Sequence, residues 1–242
     1  MEKGTGNIAG NVARICERIA RAAERSGRRP GDVTLVAVSK TFPAEAIREA
    51  YAAGVRRFGE NRIQEWDEKH AQLADLDATW HLVGHLQSNK ARRAARLFHC
   101  VDSLDRIDLA EKLSRAAGEV SGVGAPLAAP ARVLTVLIEV RLAPEESKSG
   151  VEVADVPALA EAVLALPQLD LRGLMCLPPF LEDAEQVRPY FRRLRELRDA
   201  LSARLGRPLP TLSMGMSHDF EVAIEEGATQ VRLGTAIFGP RV

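Results

Sequence analysis

The stretch VTLVAVSKTFPAEAIREAYAAG, residues 33–54, contains one strand-like and one helix-like segment, and it sets the pattern for the rest of the chain. Val33–Ser39 is apolar and rich in β-branched residues, which is typical of a buried strand. Pro43 then opens a helix-forming segment that ends at Gly54, where a glycine commonly terminates a helix. A strand followed by a returning helix is the unit from which parallel sheets are built.

The same unit recurs along the whole chain. Each strand-like segment except the last is followed by a helix-like segment. The strand-like segments lie at residues 33–39, 55–60, 79–84, 99–103, 133–140, 169–176, 211–215 and 229–234. The last one leaves room only for a short helix, and an amphipathic helix from about Asn7 to Arg25 precedes the first.

This alternation implies parallel pairing of the strands. Eight such units in 242 residues predict an α/β fold, a single (β/α)8 TIM barrel that spans residues 1–242 as one domain and carries an extra N-terminal helix. A doubly wound open sheet is the alternative, but no glycine-rich fingerprint follows the first strand.

Composition excludes several classes of protein. The 33 Lys and Arg residues balance 33 Asp and Glu residues, so no overall field favours nucleic acid or anionic membranes. No segment approaches the roughly 20 apolar residues of a membrane span, and the N-terminus lacks the apolar core of a signal peptide, so we expect a cytoplasmic protein. Cys16, Cys100 and Cys176 are far apart and form no CxxC pair, which favours reduced thiols over disulfides or zinc.

Lys40 stands at the carboxyl end of the first predicted strand. An ammonium group is expensive near a protein interior unless it is paired, neutralised or chemically used. The simplest interpretation is a lysine that marks the solvated end of the strand. In a barrel, however, the strand carboxyl ends form the functional face, and closure places the first strand beside the eighth. Lys40 would therefore face the same mouth as the loops that follow the seventh and eighth strands.

Those two loops have the features of a phosphate site. They are SMGMSHD, residues 213–219, and RLGTAIFG, residues 232–239. Barrels often hold phosphate at this position, and small residues and glycines let backbone N–H groups face an anion. The alternative is that the glycines only form tight turns.

A lysine that faces a phosphate site is what a Schiff base with pyridoxal 5'-phosphate (PLP) requires. Arg232, at the end of the eighth predicted strand, would lie against the pyridine nitrogen of that cofactor. Because an arginine stays protonated there, the ring would be a weak electron sink. An ordinary salt bridge at the rim is the alternative for Arg232.

Seven motifs, which together cover nearly the whole chain, carry a family resemblance. They are VAVSKTFP, FGENRIQE, WHLVGHLQSNK, EESKSG, GLMCLPP, SMGMSHDFEVAI and VRLGTAIFG. In this order they resemble the pyridoxal phosphate homeostasis proteins, also named proline synthase co-transcribed homologues. The resemblance implies a barrel similar to the N-terminal domain of alanine racemase, with the cofactor on Lys40.

The resemblance also implies which other residues hold the cofactor. Four residues of the two glycine-containing loops would surround the phosphate: Ser213, Met214, Gly234 and Thr235. Arg232 would contact the ring nitrogen and Asn61 would lie close to the ring, with Ser217 as a further member of the shell. The family often has a second basic residue two positions after the cofactor lysine, where this chain has Phe42.

The function implied by the resemblance is that of a carrier. The protein would hold PLP as a lysine Schiff base and take part in vitamin B6 homeostasis and delivery without significant turnover, so neither catalytic nor metal-binding residues are expected. Its partners would be PLP and, as candidate recipients, PLP-dependent apoenzymes, and we expect a monomer.

Two enzymatic alternatives remain open. A low-activity amino-acid racemase would need a second acid on the ring face opposite the lysine, which in alanine racemase is a tyrosine supplied through an additional β domain. The chain stops at Val242, so we expect that domain to be absent, and Tyr51 and Tyr190 fall in predicted outer helices. The other alternative is a barrel enzyme that acts on a sugar phosphate with Lys40 as its Schiff-base lysine.

Three further side chains could take part in chemistry. His81 and His85 have the spacing of a helical metal pair, but they fall in and just after a strand-like segment, so no zinc site is expected. We predict that His81 lines the barrel and that His85 or Asn89 lies near the mouth. Lys148 is either a loop lysine in a salt bridge or a second amine that accepts the cofactor during transfer.

Overall fold

The computed structural model describes residues 7–120, 133–143 and 149–240. Within these ranges the strands are β1 (Thr34–Val38), β2 (Arg57–Glu60), β3 (Thr79–Leu82), β4 (Cys100–Leu104), β5 (Leu134–Arg141), β6 (Val151–Glu152), β7 (Leu169–Met175), β8 (Thr211–Ser213) and β9 (Gln230–Leu233). The α-helices are α1 (Ile8–Arg25), α2 (Ala44–Ala52), α3 (Ile63–Lys69), α4 (Ala91–Leu97), α5 (Ile107–Val120), α6 (Val156–Leu164), α7 (Arg188–Leu205), α8 (Phe220–Glu225) and α9 (Thr235–Phe238).

All of these strands except β6 close into a parallel barrel. Their order is β1-β2-β3-β4-β5-β7-β8-β9, and β9 pairs with β1 through Thr34 opposite Gln230 and Val36 opposite Arg232. This closure confirms the predicted (β/α)8 barrel and excludes the open sheet. The predicted sixth, seventh and eighth strands are β7, β8 and β9.

The extra N-terminal helix is also confirmed. The side chain of Asn7 accepts a hydrogen bond from the Gly10 N–H at 2.7 Å and so caps α1. The apolar face of the helix is buried against α2, α8 and α9, and Asn11 Nδ2 donates to the Ile237 carbonyl at 2.8 Å. Since α9 has only four residues, α1 covers the part of the barrel that a longer eighth helix would cover.

Apolar side chains fill most of the space between the strands and the helices. Phe58, Phe98, Phe191 and Phe220 are among the largest fully buried side chains. A second group of buried residues breaks this pattern because its members are polar or charged and belong to the strands: Glu60, His81, Asp102, Glu139, Ser213, Gln230 and Arg232. Buried polar groups need partners, so this second group indicates where the functional site lies.

Some predicted features fall partly or wholly outside the described residues. The Gly- and Pro-rich stretch of residues 119–132, which is typical of a surface loop, overlaps the end of α5 at residues 119–120, and its remainder is outside, as is Lys148. Among the described residues, no helix is long and apolar enough to cross a membrane, and no group of three His, Cys, Asp or Glu side chains could hold a metal ion. The three cysteines are free thiols.

Candidate cofactor site

A cavity of about 470 Å³ opens at the carboxyl ends of the barrel strands. This volume lies within the usual range of small-molecule sites. Six of the eight residues predicted from the sequence line it: Lys40, Asn61, Ser217, Arg232, Gly234 and Thr235. Side chains from opposite ends of the chain meet here because β9 pairs with β1.

The other two predicted residues, Ser213 and Met214, are fully buried and do not line the cavity. Ser213 Oγ accepts hydrogen bonds from Arg232 Nη1 at 2.6 Å and from Gln230 Nε2 at 2.9 Å. The Met214 N–H donates to the Gln230 carbonyl at 3.0 Å, next to the pairing of β8 with β9. Both residues therefore support Arg232 and its strand.

Arg232 is a buried cation on the wall of the cavity, and only 4% of it is exposed. Besides Ser213, it contacts the Cys176 carbonyl, to which Nη2 donates at 2.8 Å. Burial lowers the pKa of Arg232, but a guanidinium stays charged in proteins. Among the described residues no carboxylate lies within ion-pair distance of it. An unpaired buried charge is costly, so Arg232 favours an acceptor inside the cavity.

Lys40 lies in the turn between β1 and α2, and it is half-buried. The next residue, Thr41, has a φ of 69°, in the left-handed region that residues other than glycine seldom adopt. The Thr41 N–H donates a hydrogen bond to Glu65 Oε1 of α3. A turn of this kind persists only where its surroundings hold it.

Lys69 of α3 provides much of that support from beneath the turn. Its side chain is 8% exposed, and Nζ donates to the carbonyls of Ser39 at 3.0 Å and Phe42 at 3.2 Å, on either side of Lys40. The same Nζ lies 2.9 Å from Glu60 Oε1 and 3.0 Å from Glu65 Oε1. Burial raises the pKa of Glu60, against the opposing influence of Lys69 and Ser39. We name Glu60, Glu65 and Lys69 the Lys69 clamp.

Asn61 reaches the cavity because of a glycine on the neighbouring strand end. A Cβ atom at Gly84 would lie 2.3 Å from the Asn61 carbonyl oxygen and 2.5 Å from its Oδ1. Ser103 Oγ also donates to the Gly84 carbonyl at 2.7 Å. Only glycine allows this approach, so Gly84 fixes Asn61 at the mouth of the barrel.

The loops after β8 and β9 are hydrogen-bonded directly to each other. Gly215 has a φ of 95°, and a Cβ atom there would lie 2.7 Å from Ala223 Cβ. Its carbonyl accepts from the Arg232 N–H at 2.9 Å. Ser217 Oγ accepts from the Ala236 N–H at 3.3 Å. The two predicted phosphate loops therefore form one wall.

Sequence reasoning missed several residues of the cavity wall. Phe180 is 72% exposed and its ring lies 5.2 Å from the His218 ring, centroid to centroid. Asp219 accepts from the Met216 N–H at 2.6 Å, and burial raises the pKa of its carboxyl group. Phe180 follows the sixth barrel strand, so the rule that places strand ends at the mouth could have identified it.

A buried polar network continues from Ser213 into the barrel. Gln230 Nε2 donates to Asp102 Oδ2 at 2.7 Å, and Asp102 Oδ1 lies 3.1 Å from His81 Nδ1. Burial opposes protonation of His81, but Asp102 outweighs it and raises the pKa of His81 to about 10. As predicted, His81 lies within the barrel. His85 lines a neighbouring pocket that shares Asn61 with this cavity.

Fold and site together define a barrel of the alanine racemase N-terminal class. A family model described as "Alanine racemase, N-terminal domain" matches residues 11–242. Alanine racemase from Clostridium difficile superposes with a TM-score of 0.71 over 96% of this chain and 57% of that chain, and its 12% identity makes this a likeness of fold alone.

Within that class, the chain belongs to the family of pyridoxal phosphate homeostasis proteins. The proteins of that name from Pseudomonas aeruginosa and Aquifex aeolicus are 52% and 47% identical to it over 235 residues, which cover 97% of this chain and 96% and 99% of theirs. PipY of Synechococcus elongatus, solved with PLP bound, is 43% identical and has a TM-score of 0.79 over 93% of this chain and 100% of that chain. The family resemblance inferred from the sequence motifs is confirmed.

Proposed function

We propose that this protein binds PLP at the barrel mouth as a Schiff base on Lys40 and takes part in PLP homeostasis and delivery without significant turnover of its own. The observation that carries the proposal is that Lys40 and the buried Arg232 line one cavity of about 470 Å³. The PLP bound to PipY and the name shared by the curated relatives support it.

The residues of the cavity fit this cofactor. PLP presents an aldehyde, a ring nitrogen with a lone pair, and a phosphate. Lys40 supplies an amine for the aldehyde, and Arg232 supplies buried N–H donors for the ring nitrogen. Ser217 and Thr235 supply hydroxyl groups for the phosphate, with Gly234 between the end of β9 and Thr235. When bound, the cofactor would supply a carbonyl group that condenses with an amine with loss of one water, and a ring able to withdraw electrons.

Each residue of the chain would then have a definite role. Asn61 would lie beside the ring, and Ser217, Gly234 and Thr235 would hold the phosphate. Ser213 would hold Arg232 in place by accepting a hydrogen bond from it. The Met214 N–H would hold the loop after β8 against β9.

The character of Arg232 favours a carrier over an enzyme. A permanently protonated arginine donates a hydrogen bond to the ring nitrogen without protonating it, which weakens the ring as an electron sink. We further propose that PLP-dependent apoenzymes receive the cofactor, that the protein acts in the cytoplasm, and that it is a monomer.

The proposal is tested by the absorbance of the purified protein mixed with PLP. We expect a new band that borohydride removes, and a reduced adduct that peptide mass spectrometry locates on Lys40. Lys40→Ala should abolish the band, because no other lysine among the described residues lines this cavity. Lys112→Ala, on the exposed face of α5, should keep it. A reducible band of full strength in Lys40→Ala would refute the assignment and make Lys148 the leading candidate.

A further inference from the structure

A second pocket, of about 370 Å³, lies beside the cofactor cavity at the barrel mouth. Its lining includes the side chains of Arg62, His85 and Lys90, together with Leu82 and Leu86 as apolar surface. It shares Asn61 with the cofactor cavity, but it contains none of the other residues that we assign to PLP.

The pocket is cationic. No aspartate or glutamate is among its lining residues. Arg62 is exposed and Lys90 half-buried, and within the described ranges neither has a carboxylate at ion-pair distance. His85 Nδ1 lies 3.5 Å from Asp105 Oδ2, at the edge of the ion-pair range.

Neighbouring arginines, in contrast, are neutralised by the acids of this region. Arg93 pairs with Asp67, and Arg92 lies 3.3 Å from Glu119. Arg106 pairs with Asp105 at 2.5 Å. Within the described ranges, Arg62 and Lys90 of the pocket have no such partner.

A third, smaller cavity borders both Arg62 of the pocket and the proposed cofactor lysine. This cavity has a volume of about 210 Å³, and Lys40, Asn61 and Arg62 all line it. Arg62 therefore borders both the pocket and the space around Lys40, and Asn61 borders all three cavities. A ligand in the pocket would lie next to the mouth of the cofactor cavity.

We propose that the second pocket is a binding site for a small organic anion, an apolar body that carries one carboxylate or phosphate group. The guanidinium of Arg62 can pair with either group through two parallel hydrogen bonds, and Lys90 adds a point charge. Leu82 and Leu86 would cover the apolar body. This inference does not depend on PLP being the occupant of the neighbouring cavity.

The test uses benzoate and phenyl phosphate as probes, with benzamide as the uncharged analogue. The chain has two tryptophans, Trp66 in α3 and Trp80 in β3, with ring centroids 4.1 Å apart. Other residues of α3 and β3 line the pocket, so we expect the tryptophan fluorescence to change on binding, and calorimetry gives an independent affinity. We expect at least one anion to bind saturably, and benzamide to bind at least about tenfold more weakly, the effect of losing one charge-assisted hydrogen bond.

Variants locate the binding site. Arg62→Met and Lys90→Met should each weaken the anion about tenfold or more. Arg193→Met, which removes an exposed arginine of α7 outside the pocket, should leave binding unchanged. Thermal unfolding of each variant establishes that it is folded.

Three results would overturn the proposal: no saturable binding of either anion, equal binding of benzamide, or wild-type affinity in the Arg62→Met, Lys90→Met double variant. The PLP absorbance band is measured on the same samples. Absence of that band from the wild-type protein, with intact anion binding, would count against the cofactor assignment alone. The two failures are therefore distinguishable.

Discussion

Lys69 is the residue on which the conformation of the Lys40 turn depends most directly. Its ammonium joins the carbonyls of Ser39 and Phe42 to Glu60, and Ser39, Glu60 and Lys69 itself are buried. Lys69→Met keeps the length of the side chain but leaves Glu60 unpaired, which should cost about 3–5 kcal/mol of unfolding free energy. Urea denaturation measures this loss, and the PLP band measures the effect on Lys40. We expect both stability and PLP affinity to fall.

The Lys69→Met variant also has a pH signature that a purely steric change would lack. Burial already raises the pKa of Glu60, and loss of Lys69 removes an influence that lowers it. The folded variant should therefore take up a proton on Glu60 as the pH falls, so its deficit against the wild type should shrink toward acid pH. Lys112→Met, at an exposed position, should change stability by no more than about 0.5 kcal/mol. A loss of unfolding free energy that is equal at all pH values would contradict this role of the Lys69 clamp.

His81 should make stability depend on pH over a higher pH range. Its pKa in the folded protein is raised from 6.5 to about 10, so the folded state keeps a proton that the unfolded chain releases. The stabilisation is complete below about pH 6.5 and disappears as the pH rises through about 10. Unfolding free energies of the wild type and His81→Gln, measured at about pH 6, 8 and 10, should therefore converge as the pH rises. A constant difference would refute the raised pKa.

The position of a single site residue can be predicted from the sequence only where the end of a strand alone determines it. Lys40 and Arg232 were predicted at the mouth because barrel closure brings the ends of the first and last strands together. Ser213 was expected at the phosphate, yet its side chain turns into the barrel toward Arg232. Lys69 could not be predicted, because its role depends on how α3 docks beneath a turn about 30 residues earlier.

At the scale of elements, the junction between β8 and α8 depends on Gly215. Its φ of 95° is unfavourable for other residues, and an added Cβ would lie 2.7 Å from Ala223 Cβ, so α8 would have to move. Gly206 is a matched control, since its φ is 61° and nothing lies within 4 Å of an added Cβ. We expect Gly206→Ala to cost about 1–2 kcal/mol and Gly215→Ala about 1–3 kcal/mol more, with weaker PLP binding only in the latter. Thermal unfolding and PLP titration measure the two effects, and equal costs would contradict this account.

Most elements could be predicted from the sequence because their apolar patterns are long enough to show a period. The exceptions are short. The two residues of β6 extend the sheet only at the end of β5, and two residues carry no period. The helix-like segment after β2 forms an α-helix only from Ile63 to Lys69, as α3, and a 3-10 turn, His70–Leu73, follows it.

At the scale of the whole molecule, the barrel collects charge where the sequence as a whole has none. The net charge of the chain is zero, yet Arg232 is buried without an ion-pair partner in the described part of the chain, and the adjoining pocket holds Arg62 and Lys90. Both cavities lie at the same end of the barrel and share Asn61. The fold therefore brings these three cations to one end of the barrel, where they can attract small anions.

The same global arrangement predicts that the PLP-loaded protein will not racemise amino acids at enzymatic rates. Inversion needs an acid on the ring face opposite Lys40. The chain has two tyrosines, and both lie in outer helices, Tyr51 in α2 and Tyr190 in α7, away from the residues that line the cavity. With Lys40 as the base, a proton should leave and return on one face, so the configuration should be retained.

The measurement is to incubate stoichiometric PLP-loaded protein with L- and D-alanine in heavy water, and to follow deuterium incorporation and the enantiomer ratio separately. We expect that any deuterium incorporation above the level given by free PLP is slow and occurs with retention of configuration. Inversion on the order of 1 per second or faster would contradict the carrier proposal. The opposing acid would then have to come from the cavity wall, which includes His218 and Asp219; His218 is the first candidate, because Asp219 is buried and accepts from the Met216 N–H. His218→Asn would identify it, because that variant should lose inversion while keeping the borohydride-sensitive band.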